Sequence, residues 1–577
     1  MNSGEKKDSS SSLRRKREEK RAQFYALRTS RERLDTVLSD PEGEILVRSL
    51  PPVELHLFTR EVDPEDRTTL VDMAFMDQIQ RMMDFSCWEK DVLNMDSLNQ
   101  WIQILRDCGP AKLAKALENM DTELWVLFLR HYLEVGKTED DRELMEEERS
   151  YDFTLDDLYF FRYKCSDDDQ PLVYQCIEEL YRLGSARTQL ILEAALGEMD
   201  GPLQEEAYRL RQGRMEESGF PDYFEALRIY QIQNRSPDLK EEPPKPIDFP
   251  EKNSKAPDEF PPQYALVFAD SGPSFLKRTL EQGIPSERME HLWWELTYLC
   301  HKVFIVDQVD LGDREEITQA LARTHDLLSL SLENLSAGRL EQSRFLLQEH
   351  FAETIFRAGY NLTQRLRQRA LALIRQGWLA LAPGLSFLDP PSEDVLRGLD
   401  HRHPRFPLVL DPGGNPGFRD LKTLEDLTCM ERELSIIESI GEVLPFLLNS
   451  SWPQIFRLDL AGCLPDSWQE MQLSTLFLTG FANEQLGHGF HLLPVHARDL
   501  KHLHHGCREH EAPVLKKEIK KRFETDLGRC FGSDSARLAG AIDYVRRCWR
   551  IFEEEFLSIN PHESIDPRFI RSLLVRG

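Results

Sequence analysis

Between residues 63 and 135 the chain is a succession of short apolar runs at helical spacing, each opened by its own start signal. "VDPEDRTTLVDMAF" places Asp63 as N-cap and Pro64 at the first helical position, with acids in the first turn. "MDQIQRMMDF", "MDSLNQWIQILRDCG", "GPAKLAKALENM" and "DTELWVLFLRHYLEV" follow. A Met-Asp pair recurs at 76–77, 95–96 and 120–121, the first and last 44 residues apart. Helices this short are marginal alone, so neighbours must stack to bury their faces. That spacing lies near the range of two-helix repeats. Alternating strand patterns are almost absent throughout, so the expected fold class is all-α, with short-helix superhelical repeats in the N-terminal half and a larger helical domain in the C-terminal half.

The 577 residues exceed one ordinary core. Composition and punctuation divide them into a disordered basic tail (1–30), a helical-repeat domain (31–135), a helical extension with an arginine-rich helix (136–232), a Pro-rich linker (233–262) and a C-terminal helical domain (263–577). Eight prolines between 237 and 262 carry the linker assignment. In the C-terminal half, "MEHLWWELTYLCHKV" carries a clean apolar stripe from Met289 to Val303. Residues 339–381 read as two long helices meeting near Gly359, and 403–418 as a Pro/Gly loop with a short strand. Leu538, Ile542, Val545, Trp549, Phe552 and Phe556 form a heptad-like seam, better suited to an internal core than to a partner helix.

A net charge of −28 argues against a nucleic-acid-binding body; only the basic N-terminal tail offers a place for RNA. No run of about eighteen apolar residues occurs, so membrane insertion is not expected. Ten scattered cysteines without a C-x-x-C pair fit a reduced, cytoplasmic setting.

Phosphate loops, dinucleotide fingerprints, H-E-x-x-H and nucleophile elbows are missing from the sequence. Two features remain. Arg209, Arg211 and Arg214, with Arg228 beyond a Gly-Phe-Pro-Asp break, form a basic group suited to an anion or an acidic partner, with surface ion pairs as the alternative. The stretch 488–511, "HGFHLLPVHARDLKHLHHGCREHE", holds seven of the sixteen histidines. A helix beginning after Pro494 would turn Val495, Leu500, Leu503 and Cys507 inward. It would set His502, His505 and Glu509 on another face, at spacings that supply two imidazoles and a carboxylate to a zinc-like divalent ion. The alternative is an exposed histidine-rich surface. His301 and the pair His325-Asp326 also lie on predicted helices and hint at an all-α metal phosphohydrolase.

"FSCWEKDVLNMDSLNQWIQILRDCG" and "EEAYRLRQGRMEESGFPDYFEALRIY" resemble an uncharacterised bacterial family defined only as a domain of unknown function. That resemblance implies no activity, cofactor or catalytic residue. Residues 45–135 are similar to the superhelical repeats of MgtE-type magnesium transporters and FliG-type motor switch proteins, which implies a stacked-helix, partner-binding module. The expected function is a cytoplasmic helical scaffold or protein-interaction protein without catalysis or cofactor. The alternative is a metal-dependent, hydrolase-like enzyme with its histidine-rich site in the C-terminal half.

Overall fold

A computed structural model describes Phe24 and residues 30–89, 91–138, 151–197, 199–232, 274–509, 512–531, 535–560 and 565–577. The expected linker (233–262) and all of the expected tail except Phe24 and Ser30 lie outside these residues. The described chain is mainly α-helical, with only short strands.

The short helices of the N-terminal half form where their start signals stand. Pro64 opens the helix Pro64–Met73 with Asp63 at the N-cap, and Pro110 opens Pro110–Asn119. Helices Met76–Ser86 and Met95–Asp107 both begin at the methionine of a Met-Asp pair. The third pair instead precedes Thr122–Tyr132, with Asp121 at its N-cap. The Asn94 side chain accepts from Ser97 N at 2.9 Å and satisfies one of the donors a helix start leaves free. Each helix turns its apolar stripe into one shared core that extends to Ala207.

That core crosses the boundary expected at 135. The aromatic run "YDFTLDDLYFFRY" forms a small sheet: Tyr159–Tyr163 pairs antiparallel with both Phe153–Thr154 and Leu133–Lys137. Tyr159 and Phe161 point into the same core as the preceding helices. The alternation that makes this strand is only five residues long, too short to stand out beside its helical neighbours.

A second core is assembled from both sides of the expected linker. Val53, Leu57, Phe85, Met215, Phe220 and Ile229 pack with side chains from Phe275 to Phe356. The stripe from Met289 to Val303 supplies its centre: Leu292, Leu296, Leu299, Cys300 and Val303 are all buried. The third core spans Leu330 to Val575, and the terminal seam lies inside it, with Val545, Trp549, Phe552 and Phe556 buried. The seam is therefore an internal face and not a partner surface.

One expectation about breaks changes and one holds. The 339–381 segment divides at His350–Phe351, between Leu340–Glu349 and Ala352–Arg375, and Gly359 lies within the second helix. A Cβ at Gly359 would lie 2.5 Å from Leu327 O. The glycine marks a close helix crossing and not a helix end. The 403–418 loop holds one strand of a pair, Arg405–Pro407 against Phe418–Asp420.

Candidate functional site

The arginine helix (Asp200–Glu217) carries three of the four candidate arginines, and the four lie in different surroundings. Arg214 turns inward, donating from Nε and Nη2 to both oxygens of Asp84 at 2.6 and 2.9 Å and from Nη1 to Asp121 at 3.0 Å. Burial works against the Arg214 charge, but Asp84 and Asp121 outweigh it and hold the guanidinium protonated. Burial also pushes the Asp84 carboxyl up, so its charge depends on Arg214. Arg211 donates to Asp84 O at 2.9 Å and lies over the Trp88 ring at 5.4 Å. Arg209 is exposed and pairs with Glu206. Arg228 is exposed beyond the turn. The four do not converge: two fasten the arginine helix to the Met76–Ser86 helix, and two face solvent.

The Gly-Phe-Pro-Asp break is an anchor. Gly219 takes φ +82°, a conformation that favours glycine, and its carbonyl accepts from His301 Nδ1 at 2.8 Å. Phe220 stacks on the His301 ring at 3.8 Å. Burial pushes His301 down to about 4, so the ring is neutral near pH 7. Asp222 then caps Tyr223–Leu227 through Phe224 N and Glu225 N. His325 bonds to Ser274 Oγ at 3.1 Å. His301 is therefore a buried anchor, and among the described residues no metal-ligand set is assembled around it.

In the histidine-rich stretch Val495, Leu500, Leu503 and Cys507 are all buried, but the helix begins only at Leu500, and Val495 lies in the strand Val495–His496, paired with Val575. The helix Leu500–Cys507 ends two residues before Glu509, because Arg508 is extended and Glu509 N bonds to Val514 O at 3.0 Å. Glu509 therefore leaves the face that carries His502 and His505. Both histidines are exposed, and His505 Nδ1 bonds to Lys501 O, one turn back on its own helix, at 2.8 Å. Among the described residues no group of three or more His, Cys, Asp or Glu side chains is placed to hold a metal ion. Among the described histidines of the stretch His504 is the buried one, and its ring packs on Phe556 at 5.5 Å.

The same stretch supplies a different feature. Phe490 lies 5.9 Å from Phe523 and 5.7 Å from Phe477. Together with Ile519 and Leu527 it floors a groove of about 90 Å³ beside the helices Leu473–Gln485 and Lys517–Phe531. Glu484, Arg522 and the exposed Cys530 stand around it. Arg522 approaches Glu484 only to 3.9 Å, and burial pushes the Glu484 carboxyl up. Periodicity marks each of these helices but not their juxtaposition, so the groove is invisible in the sequence.

A family model described as "Family of unknown function (DUF6178)" matches residues 10–576. The chain belongs to this family. The match runs through the arginine helix, the Gly-Phe-Pro-Asp anchor and the groove alike. No curated protein and no solved structure matches the chain. The likeness to MgtE-type and FliG-type repeats is not carried by any of these comparisons. Among the described residues no helix is long and apolar enough to cross a membrane.

Proposed function

We propose that the chain is a cytoplasmic, non-catalytic protein-interaction protein, and that the groove floored by Phe490, Ile519, Phe523 and Leu527 seats an apolar side chain of a protein partner. The observation that carries this reading is the groove itself: an apolar floor with a charged rim, beside two helices. Its volume of about 90 Å³ suits one inserted side chain. Pockets for whole small molecules run to about 300–1,000 Å³. Helical grooves of this kind recognise the apolar anchors of a partner segment. Phe523 and Leu527 belong to the third core, and Phe490 and Ile519 pack against it, which gives the groove the rigidity that side-chain recognition needs.

Affinity capture from host cells with the wild-type chain and with Cys530→Trp tests the reading. Cys530 is exposed and lines the groove, so an indole there fills it without disturbing a buried position. Loss of a defined partner in the variant supports the proposal. An identical set of captured proteins overturns it.

A further inference from the structure

The helix Lys517–Phe531, which lines the groove, also carries a basic surface on an otherwise acidic chain. Residues 496–522 hold eight Lys and Arg against four Asp and Glu, whereas the whole chain holds 72 against 100. The local balance is the reverse of the global one.

The fold makes one surface of these residues. After the helix Leu500–Cys507 the chain turns back: Arg508 pairs with Leu515, Lys516 N donates to Cys507 O at 3.0 Å, and Lys516 Nζ donates to Gly506 O at 2.6 Å. The end of one helix is thereby tied to the start of the next. Leu500, Leu503 and Cys507 face the core, which leaves Lys501, His502 and His505 exposed on the outer side of the first helix. Phe523 and Leu527 face the core from the second, which leaves Lys517 and Lys521, one turn apart, exposed near its start. Arg522, next to Lys521, is exposed and lines the groove. A basic ridge therefore runs from the groove along the second helix to the histidine-bearing face of the first.

Most of this charge is left for a partner. Lys520 is held by Glu553 at 2.6 Å, but among the described residues no carboxylate pairs with Lys501, Lys517 or Lys521. The acids at the groove are themselves compensated: Asp526 pairs with Arg529 at 3.1 Å, and Glu484 faces Arg522 at 3.9 Å.

Building on the groove reading above, we infer that this ridge docks an acidic segment of the protein partner, one whose apolar anchor enters the groove. Carboxylates along such a segment meet Lys521, Lys517 and then the face of Lys501 and His505. Opposite charge steers the approach and fixes the direction in which the segment lies. Single-stranded nucleic acid suits the ridge less well, because its binding draws on exposed aromatic side chains as well as cations. The only Phe, Tyr or Trp between 496 and 530 is Phe523, which is buried. A long polyanion would also meet the charge of the whole chain, −28.

Selection of a display library of random peptides on the full chain tests the inference, with Cys530→Trp and Lys517→Glu/Lys521→Glu as the variants. Both lysines are exposed, and acidic side chains are favourable near a helix start, so the second variant keeps the fold. Peptides that need the groove, judged by their loss on Cys530→Trp, should carry Asp and Glu beside a single apolar residue. Synthetic copies should bind the charge-reversed chain about tenfold more weakly, and should bind wild type more weakly as salt rises. Groove-dependent peptides without acidic residues, or ones that bind the charge-reversed chain as tightly as wild type, overturn the inference and leave the groove reading in place. If no selected peptide distinguishes wild type from Cys530→Trp, the groove reading fails and the inference falls with it. A labelled single-stranded RNA that binds wild type and is lost on the charge-reversed chain assigns the ridge to nucleic acid and likewise overturns it.

Discussion

Replacing Arg214 with leucine should loosen the joint between the arginine helix and the helix Met76–Ser86. The Asp84 side chain is 2% exposed and that of Arg214 16%, so the pair is shielded from solvent. Removing the cation strands a carboxylate that burial already disfavours. Breaking a buried pair from one side costs about 3–5 kcal/mol. At about 1.4 kcal/mol per decade, that corresponds to roughly two to three and a half orders of magnitude in local opening. Hydrogen exchange read by mass spectrometry over residues 76–86 and 200–217 measures it. The effect should depend on pH with a definite sign. With Arg214 gone, folded Asp84 has a carboxyl pKa above its unfolded value, so the folded state binds the extra proton. The variant should then recover as pH falls toward 5 and be weakest at alkaline pH. The double variant Asp84→Asn/Arg214→Met should restore most of the protection. A loss below about 1 kcal/mol, or a double variant no better than Arg214→Leu, would refute the reasoning.

Three further outcomes are expected. Burial holds His56 and His301 down to about 4. Their folded values lie below the unfolded one, so stability should drop as pH falls from about 6.5 toward 4, by up to about 3 kcal/mol for each ring. Denaturation midpoints across that window check this, and His301→Phe should flatten the acid limb; an unchanged limb would show that His301 does not titrate this way. Gly359→Ala should cost about 1–3 kcal/mol by overpacking, because its Cβ would lie 2.5 Å from Leu327 O; a melting temperature equal to wild type would contradict the close crossing. Purified protein should carry no stoichiometric zinc, and His502→Ala/His505→Ala should leave its metal content unchanged by elemental analysis; one zinc per chain, lost in that variant, would restore the metal reading.

The helical class was legible because most elements carry their own local start signals, such as Asp63-Pro64, Asn94 and Pro110. Inward faces were legible from periodicity, as Val545, Trp549 and Phe552 show. What failed to show was whatever depends on pairing across the chain. Gly359 looks like a break until the Leu327 carbonyl is opposite it. The arginines look like one basic patch until Asp84 and Asp121 draw Arg214 inward. His502, His505 and Glu509 share a face only if the helix continues, and the extended Arg508 stops it.

The central claim, that the groove beside Cys530 holds a protein partner, is tested most directly by site-specific photo-crosslinking in host cells. A photoreactive residue at position 530 is compared with one at the exposed Cys429, which does not line the groove. The account predicts a discrete adduct from position 530 alone, lost when Glu484 and Leu527 are replaced by bulkier side chains. The same adducts from both positions, or none from position 530, would contradict it.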